Sequence, residues 1–397
     1  MHVVPVTGRH LGDGNLLAMT TLAEARKAAR LNLDPYADWL QREGLSVYEG
    51  VGCDLHALET KPWPRYGVNG AVVHLTGKGD FANLFAIDIP AGRATDPQRH
   101  LYEEVIYVVE GRGSTQIEFP DGTQRSFEWQ PRSMFAIPLN VSHRHYNGDG
   151  QKRALLASVT SLPLVCMLYH NDGFIFNNPF VFEDRLGKDN YYNGEGDLMM
   201  VRPGHNIWET NFVPDLSDIE LTEWADRGAG ATNLRFMLAD GNMHAHISEI
   251  QTGTYKKAHR HGAGAHIFTI TGTGYSLLWR EEEHDFQRVD WRPGMVFAPI
   301  DRQFHQHFTT STVPSRYLAI IGGSNARYPL TEAHRRTTAA ADGSRGKVST
   351  SIKLGGDQVE YEDQDPRIHT MWLDEMRKAG ITSRFDEYDV AAPAVAR

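Results

Sequence analysis

Two stretches decide the fold when one is laid over the other: GRATDPQRHLYEEVIYVVEGRG at residues 92–113 and GTYKKAHRHGAGAHIFTITGTG at residues 253–274. Gly92, His100, Gly111 and Gly113 recur 161 residues later as Gly253, His261, Gly272 and Gly274. Farther along, Trp129, Pro131, Phe135, Ala136, His143 and His145 recur 162 residues later as Trp291, Pro293, Phe297, Ala298, His305 and His307. One residue inserted between Gly274 and Trp291 accounts for the change of offset. A fixed offset between similar segments marks duplicated architecture, so the chain holds two copies of one domain.

The repeated unit is built of short apolar runs broken by Gly, Pro and Asp, such as ANLFAIDIPAG, EEVIYVVEGRG, STQIEFPDG and SMFAIP, which is the pattern of strands and turns. The unit is all-β. Around the two copies lie helical signals. Thr21 with Glu24 forms a capping box, Asp34-Pro35 to Gly44 predicts a capped helix, and Asp365-Pro366 to Gly380 predicts a last helix with Ile368, Met371, Trp372 and Met376 on one face. These spacings divide the chain into a helical arm (1–71), a first β unit (72–170), a connector (171–232) with a helix from near Ser217 to Gly228, a second β unit (233–324), and a C-terminal loop and helix (325–397).

The chain has 397 residues, 41% hydrophobic and 23% charged, enough for a sizeable core. With 40 Lys+Arg against 50 Asp+Glu the formal charge is −10, which argues against nucleic acid as a partner. Met1 to Asn15 lacks a secretory pattern, and the longest apolar stretch, Ala154 to Tyr169, is too short and too interrupted to span a membrane. Cys53 and Cys166 cannot build a disulfide framework and fit a reduced, cytoplasmic setting. Arg335, Arg336 and Arg345, and the cluster from Arg280 to His284, are expected to be solvated surface.

The 19 histidines need their own explanation. His259 and His261, two apart on a strand, point to one face, and in a barrel that face is the lumen. A third imidazole from His305 completes a three-nitrogen site suited to Fe, Ni, Cu or Zn, with positions left open for water, substrate or dioxygen. In the first copy Gln98 stands where His259 stands in the second. There His100, Glu104 and His143 form an alternative 2-His-1-carboxylate set, or else a packing remnant with Glu104 held by Arg99 or another donor. His307 and His145 share the ligand face. His244 and His246 line the pocket if their strand turns that face inward. Arg302 and Gln303 are candidates for binding a carboxylate or hydroxyl at the barrel mouth. His266 is one residue out of phase and is expected to face away from the lumen.

These residues resemble the cupin superfamily. Gly92, His100, Glu104, Gly111, Pro131, Pro138, His143 and Asn147 fit its two-part pattern in the first copy, and Gly253, His259, His261, Gly272, Pro293 and His305 fit it in the second. The resemblance implies two tandem cupin barrels, each a double-stranded β-helix or jelly roll. More narrowly, His259–Gly274 looks like the gentisate 1,2-dioxygenase and salicylate dioxygenase group, in which three histidines hold Fe(II) and the usual glutamate is absent. Here Ala265 fills that slot. The resemblance implies a non-haem Fe(II) ring-cleaving dioxygenase acting on a hydroxylated aromatic acid, with dioxygen as co-substrate and a homo-oligomer, dimer or tetramer, as the assembly. Two alternatives stand beside it. One is a non-oxidative metal-dependent decarboxylase, isomerase, hydrolase or lyase, with Mn, Zn, Ni or Cu also open. The other is a non-catalytic bicupin that binds a small ligand.

Overall fold

In the first copy, Asn83–Ile89, Ala154–Thr160, Glu104–Glu110 and Met134–Ile137 join Val68–Leu75 in one sheet. A second sheet sets Gly113–Glu118 between Ser142–Asn147 and Gln124–Trp129. The other copy repeats this with His244–Ile250, Ser315–Ile321, His266–Thr271 and Met295–Phe297 in a sheet that begins its core at Thr232–Met237, and with Gly274–Trp279 between Phe304–Thr309 and Gln287–Trp291. Each pair of sheets encloses a lumen, and the chain is a tandem of two double-stranded β-helix, or jelly-roll, barrels. The structure is a computed structural model that describes residues 34–77, 82–202, 205–262, 265–321, 349–391 and 393–395.

Strand alternation explains how the barrels meet. In the first barrel Phe85, Ile87, Ile106 and Val108 point into the lumen, while Ala86, Val105, Tyr107 and Ala157 point out of it. The outward set is as apolar as the inward one, so it must be covered. It packs on Phe236, Ala245, Ile247, Phe268 and Leu318 of the second barrel in one shared core. His266 belongs to this same outward side, two residues before Phe268, and is fully buried between the barrels rather than exposed.

A carboxylate fastens the junction. Glu103 accepts hydrogen bonds from the backbone N–H groups of Asn242 and Met243, at 2.9 and 2.7 Å, across the boundary between the copies. Glu103→Ala removes both acceptors and is expected to lower stability by about 1–3 kcal/mol, read as a shift in the urea midpoint. A midpoint unchanged from the parent protein would remove Glu103 from the account of the junction.

The helices at Pro35–Glu43 and Pro366–Ala379 form as the sequence predicts. Asp34 and Asp365 cap their starts, and Gly44 and Gly380 end them in the left-handed conformation at φ +69° and +66°. Ile368, Trp372 and Met376 dock on Tyr255 and Phe308, on the outer face of the second barrel's smaller sheet. No helix among the described residues is long and apolar enough to cross a membrane. The helix expected at Thr21 and the loop expected from Asn325 to Lys347 lie outside the described residues.

Two stretches differ from expectation. Within residues 46–71, expected as a helical arm, Ser46–Gly50 pairs in parallel with Val68–Leu75, and Gly52–Asp54 joins the second barrel's sheet beside Met295–Phe297. Within the connector, Phe212–Val213 joins the first barrel's sheet beside Met134–Ile137, and Asp197–Arg202 pairs with His205–Glu209. The helix expected from Ser217 does not form. Arg316 Nη1 donates to the carbonyls of Leu216, Ser217 and Ile219, groups that a helix would have to pair within itself. Only the single turn Ala225–Arg227 is helical there.

Candidate metal centres

The two barrels hold their candidate ligand histidines by the same backbone device. In the first, Asn140 turns the chain at φ +59° and its N–H donates to the carbonyl of His100 at 3.0 Å; in the second, Arg302 at φ +61° does the same to His261 at 3.0 Å. Three residues on, His143 Nδ1 donates to the Val141 carbonyl and His305 Nδ1 to the Gln303 carbonyl, both at 3.1 Å. His100 and His261 likewise give Nδ1 to the carbonyls of Tyr102 and Gly262. A proton fixed on Nδ1 leaves the lone pair of Nε2 aimed into the lumen, which is the tautomer a metal requires. His259 is the exception, since its Nδ1 meets no hydrogen-bond partner among the described residues.

In the second barrel His259, His261 and His305 bring their ligand nitrogens within 4.8 Å of one another. The Nε2 atoms of His305 and His259 stand 3.1 Å apart. His259 and His305 are buried and His261 is half-buried at the mouth. Burial, aided by neighbouring cationic groups, pushes His259 and His305 well below the ordinary imidazole range, so both are neutral and able to ligate. Ala265 occupies the carboxylate slot and is packed in the lumen.

In the first barrel the ligand atoms of His100, Glu104 and His143 also fall within 4.8 Å of one another. His100 Nε2 and His143 Nε2 lie 3.4 and 3.5 Å from Glu104 Oε2 and are not aligned with it as hydrogen bonds. All three atoms are buried and none has a hydrogen-bond partner among the described residues. Three buried acceptors facing one another are costly unless a cation lies between them, so this donor set fits a divalent metal. Burial works to raise the Glu104 carboxyl, but the imidazoles of His100, His143 and His145 outweigh it and hold the group near 2. Glu104 is held by the Ser158 hydroxyl, and Arg99 is engaged elsewhere, with the carbonyls of Asn140 and Phe180. Gln98 donates to the carbonyls of Arg65 and Asp96 and stays out of the ligand set.

The copies thus differ in a coordinated way. Where Glu104 becomes Ala265, its support Ser158 becomes Ala319, at the same 161-residue offset. What both copies keep is a relay beside the ligands: Trp129 Nε1 donates to Thr115 Oγ1, which meets His145 Nδ1 at 2.8 Å, and Trp291 Nε1 donates to Ser276 Oγ, which meets His307 Nδ1 at 2.7 Å.

Of the other expected pocket residues, His244 and His246 turn toward the second lumen with Ile250, because Ala245 and Ile247 between them face the first barrel. His246 lies against Tyr317, whose ring also meets His307. Arg302 and Gln303 are corrected. The Arg302 guanidinium is bound to both oxygens of Asp357, at 2.8 and 3.2 Å, and Gln303 Oε1 accepts from the Ile300 N–H, so both side chains build the turn instead of facing a substrate. Spacing alone missed Lys256, which enters the second lumen beside Tyr317.

Access separates the two centres. Over the first barrel Trp39 and Trp63 close on Phe85, while Tyr102 stacks on His100 at a 3.6 Å centroid distance with Phe176 behind it. Each of its three candidate ligands is at most 3% exposed.

No protein-family model matches the chain, and no curated protein matches it. Solved structures do resemble it in the path of the chain. An oxalate decarboxylase from Lactobacillus farciminis, in a formate complex, is 11% identical, with 70% of this chain and 87% of that one covered at a TM-score of 0.45. A mutant of the Bacillus subtilis oxalate decarboxylase is 12% identical, with 69% and 78% covered at 0.44. The vicilin of hazelnut, Corylus avellana, is 10% identical, with 68% and 86% covered at 0.46.

Proposed function

We propose that the chain is a metal-dependent enzyme that acts without net oxidation on a small molecule in the lumen of its second barrel, and that the first barrel holds a structural metal. The observation that carries this reading is the contrast in access: His261 reaches the mouth of its barrel, whereas His100, Glu104 and His143 are sealed. Closed sites are structural and open ones catalytic. His259, His261 and His305 would hold the catalytic ion, and as neutral ligands they leave its charge undiminished, so that it supplies Lewis-acid polarisation of a substrate oxygen. The chain's own residues supply the rest. His246, kept neutral by burial and by the nearby Arg235, lines the wall of the lumen beside Tyr317. His307, anchored to Ser276, sets the wall beside His305. Tyr317 excludes water behind both.

The second reading is the Fe(II) dioxygenase, favoured by the three-histidine set with Ala265 in the carboxylate slot. Metal analysis of anaerobically purified protein, followed by oxygen-uptake measurements on iron-loaded samples with gentisate, salicylate and catechol-type acids, separates the two. The expected result is no uptake. Uptake that His305→Ala abolishes would replace the first reading with the second.

A further inference from the structure

The strand carrying His259 contains an irregularity with a chemical consequence. Tyr255 bridges to Phe308, and His259 pairs with His305. Three residues therefore lie between the paired positions on one strand and two on the other, which is a one-residue bulge. Strict alternation from His259 would send Lys256 to the outside. The bulge sends it in: Tyr255 and Ala258 pack outward, and Lys256 is buried, 3% exposed, with Nζ 5.1 Å from the centre of the Tyr317 ring.

Nothing in the described lumen neutralises this amine. Among the described residues Lys256 Nζ has no ion pair, and its one partner is the Tyr317 ring. Glu249, the carboxylate that bears on it, is bound to Arg316 at 2.6 Å. Arg227, buried and hydrogen-bonded to Gln358, adds further positive potential, which is felt at His259, His305, His307 and Lys256. Ala265 and Ala319 stand where the first barrel keeps Glu104 and Ser158. The second lumen is thus a cationic, aromatic-walled space that lacks the carboxylate of its twin. A buried amine without an anion is costly, and a function that brings one offsets the cost.

We infer that Lys256 is the anion-binding residue of the second barrel, and that the ligand of this barrel carries a carboxylate which pairs with the Lys256 ammonium while Tyr317 packs against its body. The inference rests on the reading of that lumen as the substrate pocket. It moves the carboxylate contact from Arg302, which Asp357 occupies, to Lys256. Burial and the nearby Arg227 depress the Lys256 ammonium well below its ordinary range, so an arriving carboxylate and the proton on Nζ favour each other's binding.

Calorimetric titration of the zinc-loaded full chain with benzoate, benzamide and phenyl phosphate tests this, using the parent protein, Lys256→Met and Lys256→Arg. Benzoate is expected to bind the parent about tenfold or more tightly than benzamide, with the preference lost in Lys256→Met and kept within about threefold in Lys256→Arg, as expected for one buried charge-assisted hydrogen bond. Zinc content and the thermal midpoint of each variant show that a loss is not unfolding. Equal binding of benzoate and benzamide, an undiminished preference in Lys256→Met, no binding at millimolar benzoate, or tighter binding of phenyl phosphate would each overturn the inference. Repeating the titration on chelator-treated protein keeps the two ideas apart. A Lys256-dependent preference that persists there supports the anion site whether or not the metal reading survives, and metal binding that survives without any preference leaves the metal reading standing alone.

Discussion

His305→Ala is expected to carry one metal equivalent per chain after dialysis, where the parent protein carries two. His305 supplies one of three imidazoles in the second barrel, and its Nε2 stands 3.1 Å from that of His259. Loss of a ligand should weaken that site by more than the roughly 10–100-fold that follows loss of a supporting hydrogen bond. The first barrel serves as an internal control, since its ligands come from a separate sheet pair and should keep their ion. Glu104→Gln should show the reverse pattern, with the first equivalent lost and the second kept. Elemental analysis after dialysis reads both. Two equivalents retained in His305→Ala would show that these imidazoles are packing residues.

Acid should destabilise the protein well before its carboxylates titrate. Burial pushes both His145 and His307 down to about 3 from an ordinary value of 6.5, and at His307 the nearby Lys256 and Arg227 add to the effect. In the unfolded chain these imidazoles take up protons as pH falls below 6.5, and in the folded chain they do not. The unfolded state therefore binds more protons throughout the window from about 6.5 to about 3. Stability is unaffected above this window and falls with pH inside it, by about 1.4 kcal/mol per unit for each histidine, or about 3 for the pair. Urea midpoints of the first unfolding transition between pH 7.5 and 5 read the slope. His307→Gln, which can still meet Ser276, should lower it by about 1.4 kcal/mol per unit. Identical slopes in parent and variant would show that His307 titrates normally.

Much of this was legible in the chain. The 161-residue offset gave both barrels because duplicated strands keep their spacing even when loops drift, and the added residue sits in the hairpin between Trp279 and Gln287, where it disturbs no paired strand. The ligand histidines followed from alternation and from their recurrence. What escaped is what depends on partners far along the chain. Arg302 looked free for substrate because nothing near it announces Asp357. The helix expected at Ser217 has good local signals and loses to Arg316, a hundred residues away. Lys256 was hidden by a bulge, which shifts the face of a strand without leaving any mark on hydrophobic period. The pocket lining of a barrel is therefore less legible than its ligands.

The edge strands that each barrel takes from outside itself bear on how the chain comes into being. Gly52–Asp54 is made early but finds its place only beside Met295–Phe297, and Met134–Ile137 waits for Phe212–Val213. A growing polypeptide that has emerged only through its first barrel still shows an open strand edge and the apolar outer face of Val105, Tyr107 and Ala157. Such surfaces are where nascent chains stick to one another, so the newborn first half needs shelter until the second half arrives to cover it.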